Sequence, residues 1–569
     1  MKKILLLIMS LFFAVSCSGG SESKPSAAKD VCLSSSPSCK DNINTQNELS
    51  QSEKQNVSAA ENSVSDSAQI SEAGQKSDTS DAAKNIAEIN SPASASAKKK
   101  KIIFVIADGG GPSLLNLIVE YARYVPDSPY KGKPSNLEFM MNSGRIAFVI
   151  NGTLKTLVTD SAAAATQLAT GRLTNPGNLG VDEKFNKAEN LAETAKKMGL
   201  ATGVVTNTHI TDATPAAFSA HANNRNMHEF IARSYLEADH DVVLGGGGKY
   251  FLDDISFTRH ANLKKIIPYY KRFENEGGKQ NLIDSLWERD YKVIFDRTGL
   301  NHFTGKKLFG LFAYHGMAYE ISRPDYEPSL TEMVSKALEV LSKNDKGFFL
   351  MIESGLLDWV AHPNEAGAVM KELLEMDRML GVIKEYIDKN PETLLVVTAD
   401  HDTGGMGFEY AHISAEDHER KQKNGYELFS KTDGYSNGQY VAGVTDHMDY
   451  AAKNNLAILA SQKKTYNQMY QEIKEINPLD PKKRSPEKIS EIFYSGTGIN
   501  LPAEKFFPSM GIEDLSKVLN SELGMFWGTH NHTGAPLITV YYGNQQSLRG
   551  GVLQNTELHD SIEDFLKAK

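Results

Sequence analysis

Ile102-Ile103-Phe104-Val105-Ile106-Ala107, followed by Asp108 and Gly109-Gly110-Gly111, is the stretch from which the rest of the chain is read. Six apolar residues in succession, with no polar alternation, predict a strand covered on both faces at the centre of a sheet. Asp108 then stands where the strand ends, and the glycines allow backbone to approach a ligand closely.

Similar runs recur at Thr202 to Thr206, Asp241 to Leu244, Gly347 to Ile352, Leu394 to Thr398 and Leu537 to Tyr542. Between them lie helical patterns, among them Leu114 to Tyr124, Ala188 to Met198, Met227 to Ala238, Leu330 to Leu341 and Ala366 to Ile387. Strands alternating with helices predict a three-layer α/β/α sandwich around a mostly parallel sheet. In such sheets the reactive residues collect beyond the carboxyl ends of the strands. The globular region, 98–569, is interrupted at 407–525 by a long polar stretch rich in Tyr, Lys, Asp and Asn, which reads as a crown-like insertion that caps or flanks the site.

Ahead of this region the chain has a different character. Met1-Lys2-Lys3, the apolar run Ile4 to Val15 and Ser16-Cys17 describe a secretory signal peptide over residues 1–16, too short to span a bilayer. The small residues before Cys17 resemble a bacterial lipobox, so Cys17 is expected to carry a lipid anchor. Residues 17–97 have almost no large apolar side chains and read as a disordered tether. Ser18, rather than an aspartate, follows the cysteine, which favours the outer membrane within a periplasmic or outer-membrane envelope location. Cys32 and Cys39 fall in the tether, and no cysteine follows them, so the folded part uses neither thiol chemistry nor disulfides. The net charge of −10 argues against nonspecific nucleic-acid binding.

Several blocks carry chemistry, and each has an ordinary alternative. Thr159-Asp160-Ser161 precedes an alanine-rich helix, so Ser161 sits at an N-terminus that favours an anion, although Asp160 or Ser161 could simply cap it. Asp212-Ala213-Thr214-Pro215 offers oxygen ligands suited to magnesium, and Arg225 a fork for two phosphate oxygens. Glu353 ends a strand, while Asp358 and His362, four apart, share a helix face suited to zinc or to a surface ion pair. Asp400 and His401 end another strand and can reach one ion only if the chain turns at the glycines beyond. In Thr529-His530-Asn531-His532-Thr533-Gly534 either histidine is a candidate. Acid and imidazole groups at several strand ends, with a serine at a helix start, form a convergent metal-and-nucleophile constellation.

In this order the blocks resemble those of the alkaline phosphatases, from about Lys101 to Gly543. The resemblance implies hydrolysis of phosphate monoesters through a phosphoserine on Ser161. It implies one zinc on Asp358, His362 and His532, and a second on Asp108, Asp400 and His401. Magnesium is implied at Asp108, Thr214 and Glu353, with Asp212 in or near its water shell, and Arg225 clamps the phosphoryl oxygens. His532 fits the family's His-Thr-Gly pattern better than His530 does. A homodimer is a further family expectation. Trp359 departs from relatives that carry a lysine after the residue matching Asp358, which bears on the third ion and on phosphate contact. The formylglycine motif of sulfatases is absent around Ser161, and many related diesterases use threonine instead.

Overall fold

Both faces of the opening run are covered. In the computed structural model Ile103 and Val105 of β1 (Lys100–Ile106) enter one apolar core, while Ile102, Phe104 and Ile106 enter the other. Period-two alternation thus persists in an all-apolar strand, with a core on each side. The structure describes residues 99–409, 414–424, 429–436, 439–448 and 452–568. The signal peptide, Cys17 and the tether to residue 97 lie outside the described residues.

One ten-stranded sheet organises the molecule. Its further strands are β2 (Arg145–Ile150), β3 (Ala201–His209), β4 (Val242–Gly246), β5 (Lys292–Ile294), β6 (Leu308–Leu311), β7 (Gly347–Glu353), β8 (Thr393–Thr398), β9 (Leu537–Gly543) and β10 (Gly551–Gln554). Their spatial order is β10-β2-β9-β8-β1-β7-β3-β4-β6-β5. Only β9 runs antiparallel to its neighbours. The register aligns Ile106 with both Glu353 and Thr398. Asp108, Glu353 and Asp400 therefore leave the sheet at the same edge.

The site is framed by α1 (Pro112–Tyr124), α2 (Ser161–Thr170), α3 (Ala213–Ala217), α4 (Leu330–Leu341), α5 (Leu356–Ala361), α6 (Ala366–Lys389) and α7 (Asn555–Lys567). Apolar residues of α1, α4, α5 and α6 fill the core on one face of the sheet, and those of α2, α3 and α7 the core on the other. This is the expected three-layer architecture.

The 407–525 segment is bounded by an antiparallel pair, Met406–Phe408 with Met525–Trp527. Its helices Ala452–Ser461, Tyr466–Ile476, Pro486–Thr497 and Ile512–Leu523 send Leu456, Tyr466, Met469, Phe493 and Leu519 into the same core as α1 and α6. The segment thus thickens one helical layer. Two expected elements differ in extent. The strand expected to end at Thr206 continues to His209, because hydrogen bonds satisfy its polar end. The helix expected from Ala188 starts at Leu191, where Asn190 and Glu193 form a capping box. Among the described residues no helix is long and apolar enough to cross a membrane.

Candidate active site

Asp108 leaves β1 into a turn in which Gly109 has φ +71°, and a Cβ on Gly109 would lie 2.9 Å from Asp358 Cα. Only glycine admits both that conformation and that approach. The turn brings the end of β1 against α5, and the Gly109 N–H donates to Asp400 Oδ1 at 3.1 Å.

Ser161 is the first residue of α2, and Asp160 caps the helix by accepting from the N–H groups of Ala162 and Ala163. Of the alternatives raised by the sequence the cap is Asp160, and Ser161 occupies the first helical position beside it. Ser161 Oγ lies 3.1 Å from His401 Nε2. The same nitrogen lies 3.2 Å from Asp400 Oδ2 and 3.5 Å from Asp108 Oδ1. Serine, imidazole and two carboxylates thus converge on one point.

A second group adjoins it. Ligand atoms of Asp358, His362 and His532 lie within 4.8 Å of one another, as do those of Asp108, Asp358 and His401. Asp358 therefore stands between the two groups, while Asp400 joins the second through His401. The short pairing of Asp402–Thr403 with His532–Thr533 carries His532 to this place. His530 is in neither group; its Nδ1 bonds the His362 carbonyl, and His362 Nδ1 bonds the His530 carbonyl. His221 is also elsewhere, bonded to the Gly180 carbonyl and to Glu193.

Beside Asp108 lies an all-oxygen group. Thr214 Oγ1 donates to Asp108 Oδ2 at 3.2 Å. Glu353 Oε2 accepts from the hydroxyls of Thr206 and Thr208. Asp212 faces the other way, accepting from Arg225 Nη2 at 3.1 Å, with Asp160 Oδ2 3.6 Å from Arg225 Nη1. Arg225 is held between two carboxylates, with its side chain still partly exposed.

Burial and mutual repulsion set the electrostatics. Burial, then the charges of Asp400, Asp358 and Glu353, pushes the Asp108 carboxyl well above its ordinary range. Burial, then Asp358, raises Asp400 to about 8, and burial with Asp212 raises Glu353 to about 7. Burial also opposes ionisation of Asp358, but its bond to His362 and the nearby His401 and Thr403 outweigh it and hold this carboxyl low. Burial, then His532, holds His401 far below the ordinary imidazole range, in its neutral, ligating form.

Asp108 Oδ1, Asp400 Oδ2 and Glu353 Oε1 are buried without a hydrogen-bond partner. A buried carboxylate oxygen without a partner is costly, and cations relieve both that cost and the crowding of negative charge. The donors present fit metal ions.

The sequence reading did not single out Thr206, Thr208, Thr403 or His209. Thr403 Oγ1 bonds Asp358 Oδ1 at 2.5 Å and lies 3.2 Å from His401 Nδ1. His209 is buried with Nε2 3.9 Å from Asp212 Oδ2. Trp359 packs over Gly316, its ring centroid 5.8 Å from that of His209. Burial holds His209 at about 3, so the two rings that meet here, His209 and Trp359, are both uncharged beside the Asp212 carboxylate.

A sheet edge that gathers carboxylates and imidazoles around a serine at a helix N-terminus belongs to the metal-binding α/β hydrolases. The chain matches the alkaline phosphatase family model over residues 99–499 and belongs to that family, whose members hydrolyse phosphate monoesters. Alkaline phosphatase 4 of Bacillus subtilis is 27% identical over 84% of this chain and 93% of its own length. The alkaline phosphatase of Escherichia coli is 30% identical over 53% of this chain and 70% of its own. In fold, the alkaline phosphatase of Thermus thermophilus superposes with a TM-score of 0.65 at 23% identity, over 83% of this chain and 93% of that one.

Proposed function

We propose that Ser161 is the nucleophile of a phosphate monoester hydrolase that works through a phosphoserine, with two zinc ions and one magnesium. The nitrogen-containing groups, Asp358 with His362 and His532, and Asp108 with Asp400 and His401, suit zinc. The all-oxygen group of Asp108, Thr214 and Glu353, with Asp212 adjacent, suits magnesium. Bound ions would supply Lewis acidity, lowering the pKa of the serine hydroxyl and offsetting phosphoryl charge.

The chain's own residues supply the rest. Ser161 Oγ bonds to phosphorus as the bond from phosphorus to the leaving alcohol breaks, and water then cleaves the phosphoserine to release phosphate and restore the serine. Asp160 takes the N–H groups of Ala162 and Ala163, so α2 offers the phosphoryl oxygens the Ser161 N–H and the positive end of its dipole. Arg225, pinned by Asp160 and Asp212, presents its fork to two of those oxygens. The observation that carries the reading is the convergence of Ser161 Oγ, Asp108 Oδ1 and Asp400 Oδ2 within 3.5 Å of His401 Nε2.

Phosphate release from a chromogenic monoester, the matching diester and the sulfate ester tests it, with metal-loaded protein, a chelated control and Ser161→Ala. The expected result is metal-dependent monoester turnover and a trapped phosphoserine, both lost in Ser161→Ala. Near-normal turnover by the variant would refute the nucleophile, and dominant diester or sulfate cleavage would refute the substrate class.

A further inference from the structure

Helix α5 carries Asp358 in its first turn and ends against His362, yet nothing in its own sequence caps it. Gly355 occupies the N-cap and has no side chain to offer. The first N–H groups of a helix lack partners within it, and when buried they need one from elsewhere. Here the partner comes from β3. Asn207 Oδ1 accepts from the Gly355 N–H at 2.7 Å and from the Leu356 N–H at 3.1 Å. Both lone pairs of one amide oxygen are thereby used. Asn207 Nδ2 donates to Glu372 Oε2 of α6 at 3.4 Å, and the other oxygen of Glu372 accepts from the Glu320 N–H. The amide is oriented from both ends and buried.

The residues on either side act on the same turn. Thr206 and Thr208, on the opposite face of β3, hold Glu353 Oε2. A Cβ on Gly355 would lie 2.5 Å from Thr208 Cγ2 and 2.7 Å from Glu353 Cδ. Glycine is therefore required by the close passage of the turn over β3, and the side-chain cap that glycine cannot provide is supplied by Asn207.

We propose that Asn207 is a positioning residue that caps the ligand helix α5 from β3 and so fixes Asp358 and His362 relative to Glu353. Three consecutive residues, Thr206-Asn207-Thr208, then set the spacing between the all-oxygen group and the acid–imidazole groups. The inference rests on the reading of Asp358 and His362 as zinc ligands.

The test compares wild type with Asn207→Leu, which keeps the volume and removes the acceptor, and with the paired change Asn207→Asp, Glu372→Gln. The pair keeps the acceptor for α5 and moves the donor across the same contact. Zinc affinity by competition against a chromophoric chelator, and the visible absorption of the cobalt-substituted protein, are read well below the melting temperature. Partners that orient metal ligands are worth about 10- to 100-fold in metal affinity. Asn207→Leu is expected to lose zinc affinity by that factor and to alter the cobalt spectrum, and the paired variant to recover both. A purely structural role would lower the melting temperature and leave zinc affinity unchanged, which overturns the proposal. Failure of the paired variant to recover affinity overturns it too. If Asn207→Leu does not fold, Asn207→Ser, whose hydroxyl is too short for both N–H groups, carries the same comparison. Wild type that binds no zinc would refute the ligand reading itself, whereas zinc binding equal in wild type and Asn207→Leu refutes only the role of Asn207.

Discussion

Thr403 links the two acid–imidazole groups through a single hydroxyl. That hydroxyl has one proton to give, and the 2.5 Å contact assigns it to Asp358 Oδ1. The contact to His401 Nδ1 must then be an N–H donated to the threonine oxygen. This tautomer leaves the His401 Nε2 lone pair facing Ser161, Asp108 and Asp400, as a ligand requires. Thr403→Val, similar in shape but without the hydroxyl, is expected to weaken zinc binding by about 10- to 100-fold, while Thr403→Ser stays near wild type. Chelator competition measures both, and a valine variant that holds zinc as wild type does would show the hydroxyl to be dispensable. Ser161, Arg225 and the acid and imidazole candidates could be named from the sequence only as a set, because each block alone had an ordinary alternative and their order supplied the resemblance. Thr403 could not: a threonine beside a strand is ordinary, and its partner Asp358 is 45 positions away.

At the level of elements, α2 shows how one residue serves helix and site together. Asp160 caps the helix, accepts from the Gly177 N–H and faces Arg225. Asp160→Ala should remove a cap worth about 1 kcal/mol, seen as a lower melting temperature. It should also free one side of the Arg225 fork, so that inorganic phosphate inhibits more weakly. Unchanged inhibition would mean that Asp212 alone holds the guanidinium. The strands were legible wherever both faces are apolar, as in β1, β7 and β8. The carboxyl end of β3 was not, because Thr206-Asn207-Thr208 looks like the start of a loop. It remains strand because its side chains bind Glu353 and the turn into α5, contacts about 145 residues distant in sequence. The helices of the 407–525 segment were hidden similarly, since a polar average masks the apolar stripe that meets α1 and α6.

For the whole molecule, buried acid makes stability depend on pH in an unusual direction. Burial pushes Asp400 and Glu372 to about 8 and Glu327, Glu353 and Glu365 to about 7, and raises Asp108 well above its ordinary range. In the unfolded chain these groups titrate near ~4. Between the two values the folded protein holds protons that the unfolded chain has released, so its stability falls as pH rises. Histidines act oppositely and in a lower range. His209 and His240, held near 3 by burial, make stability rise with pH, but only up to the unfolded value of about 6.5. Above that their contribution ends, and His362, raised by its bond to Asp358, adds to the decline that the carboxyls cause. The metal-free protein should therefore melt at progressively lower temperature from about pH 6.5 to 8.5. Cations bound at Asp108, Asp400 and Glu353 take the place of those protons, so the metal-loaded protein should show a shallower decline over the same range. Some decline remains, because Glu327, Glu365 and Glu372 lie outside the ligand groups. Binding should release protons below about pH 8, measured calorimetrically as a dependence of the binding heat on buffer ionisation enthalpy. A metal-free melting temperature that stays level or rises across this window would mean that the buried carboxyls are already ionised without metal. Proton displacement would then contribute nothing to assembly of the site at alkaline pH.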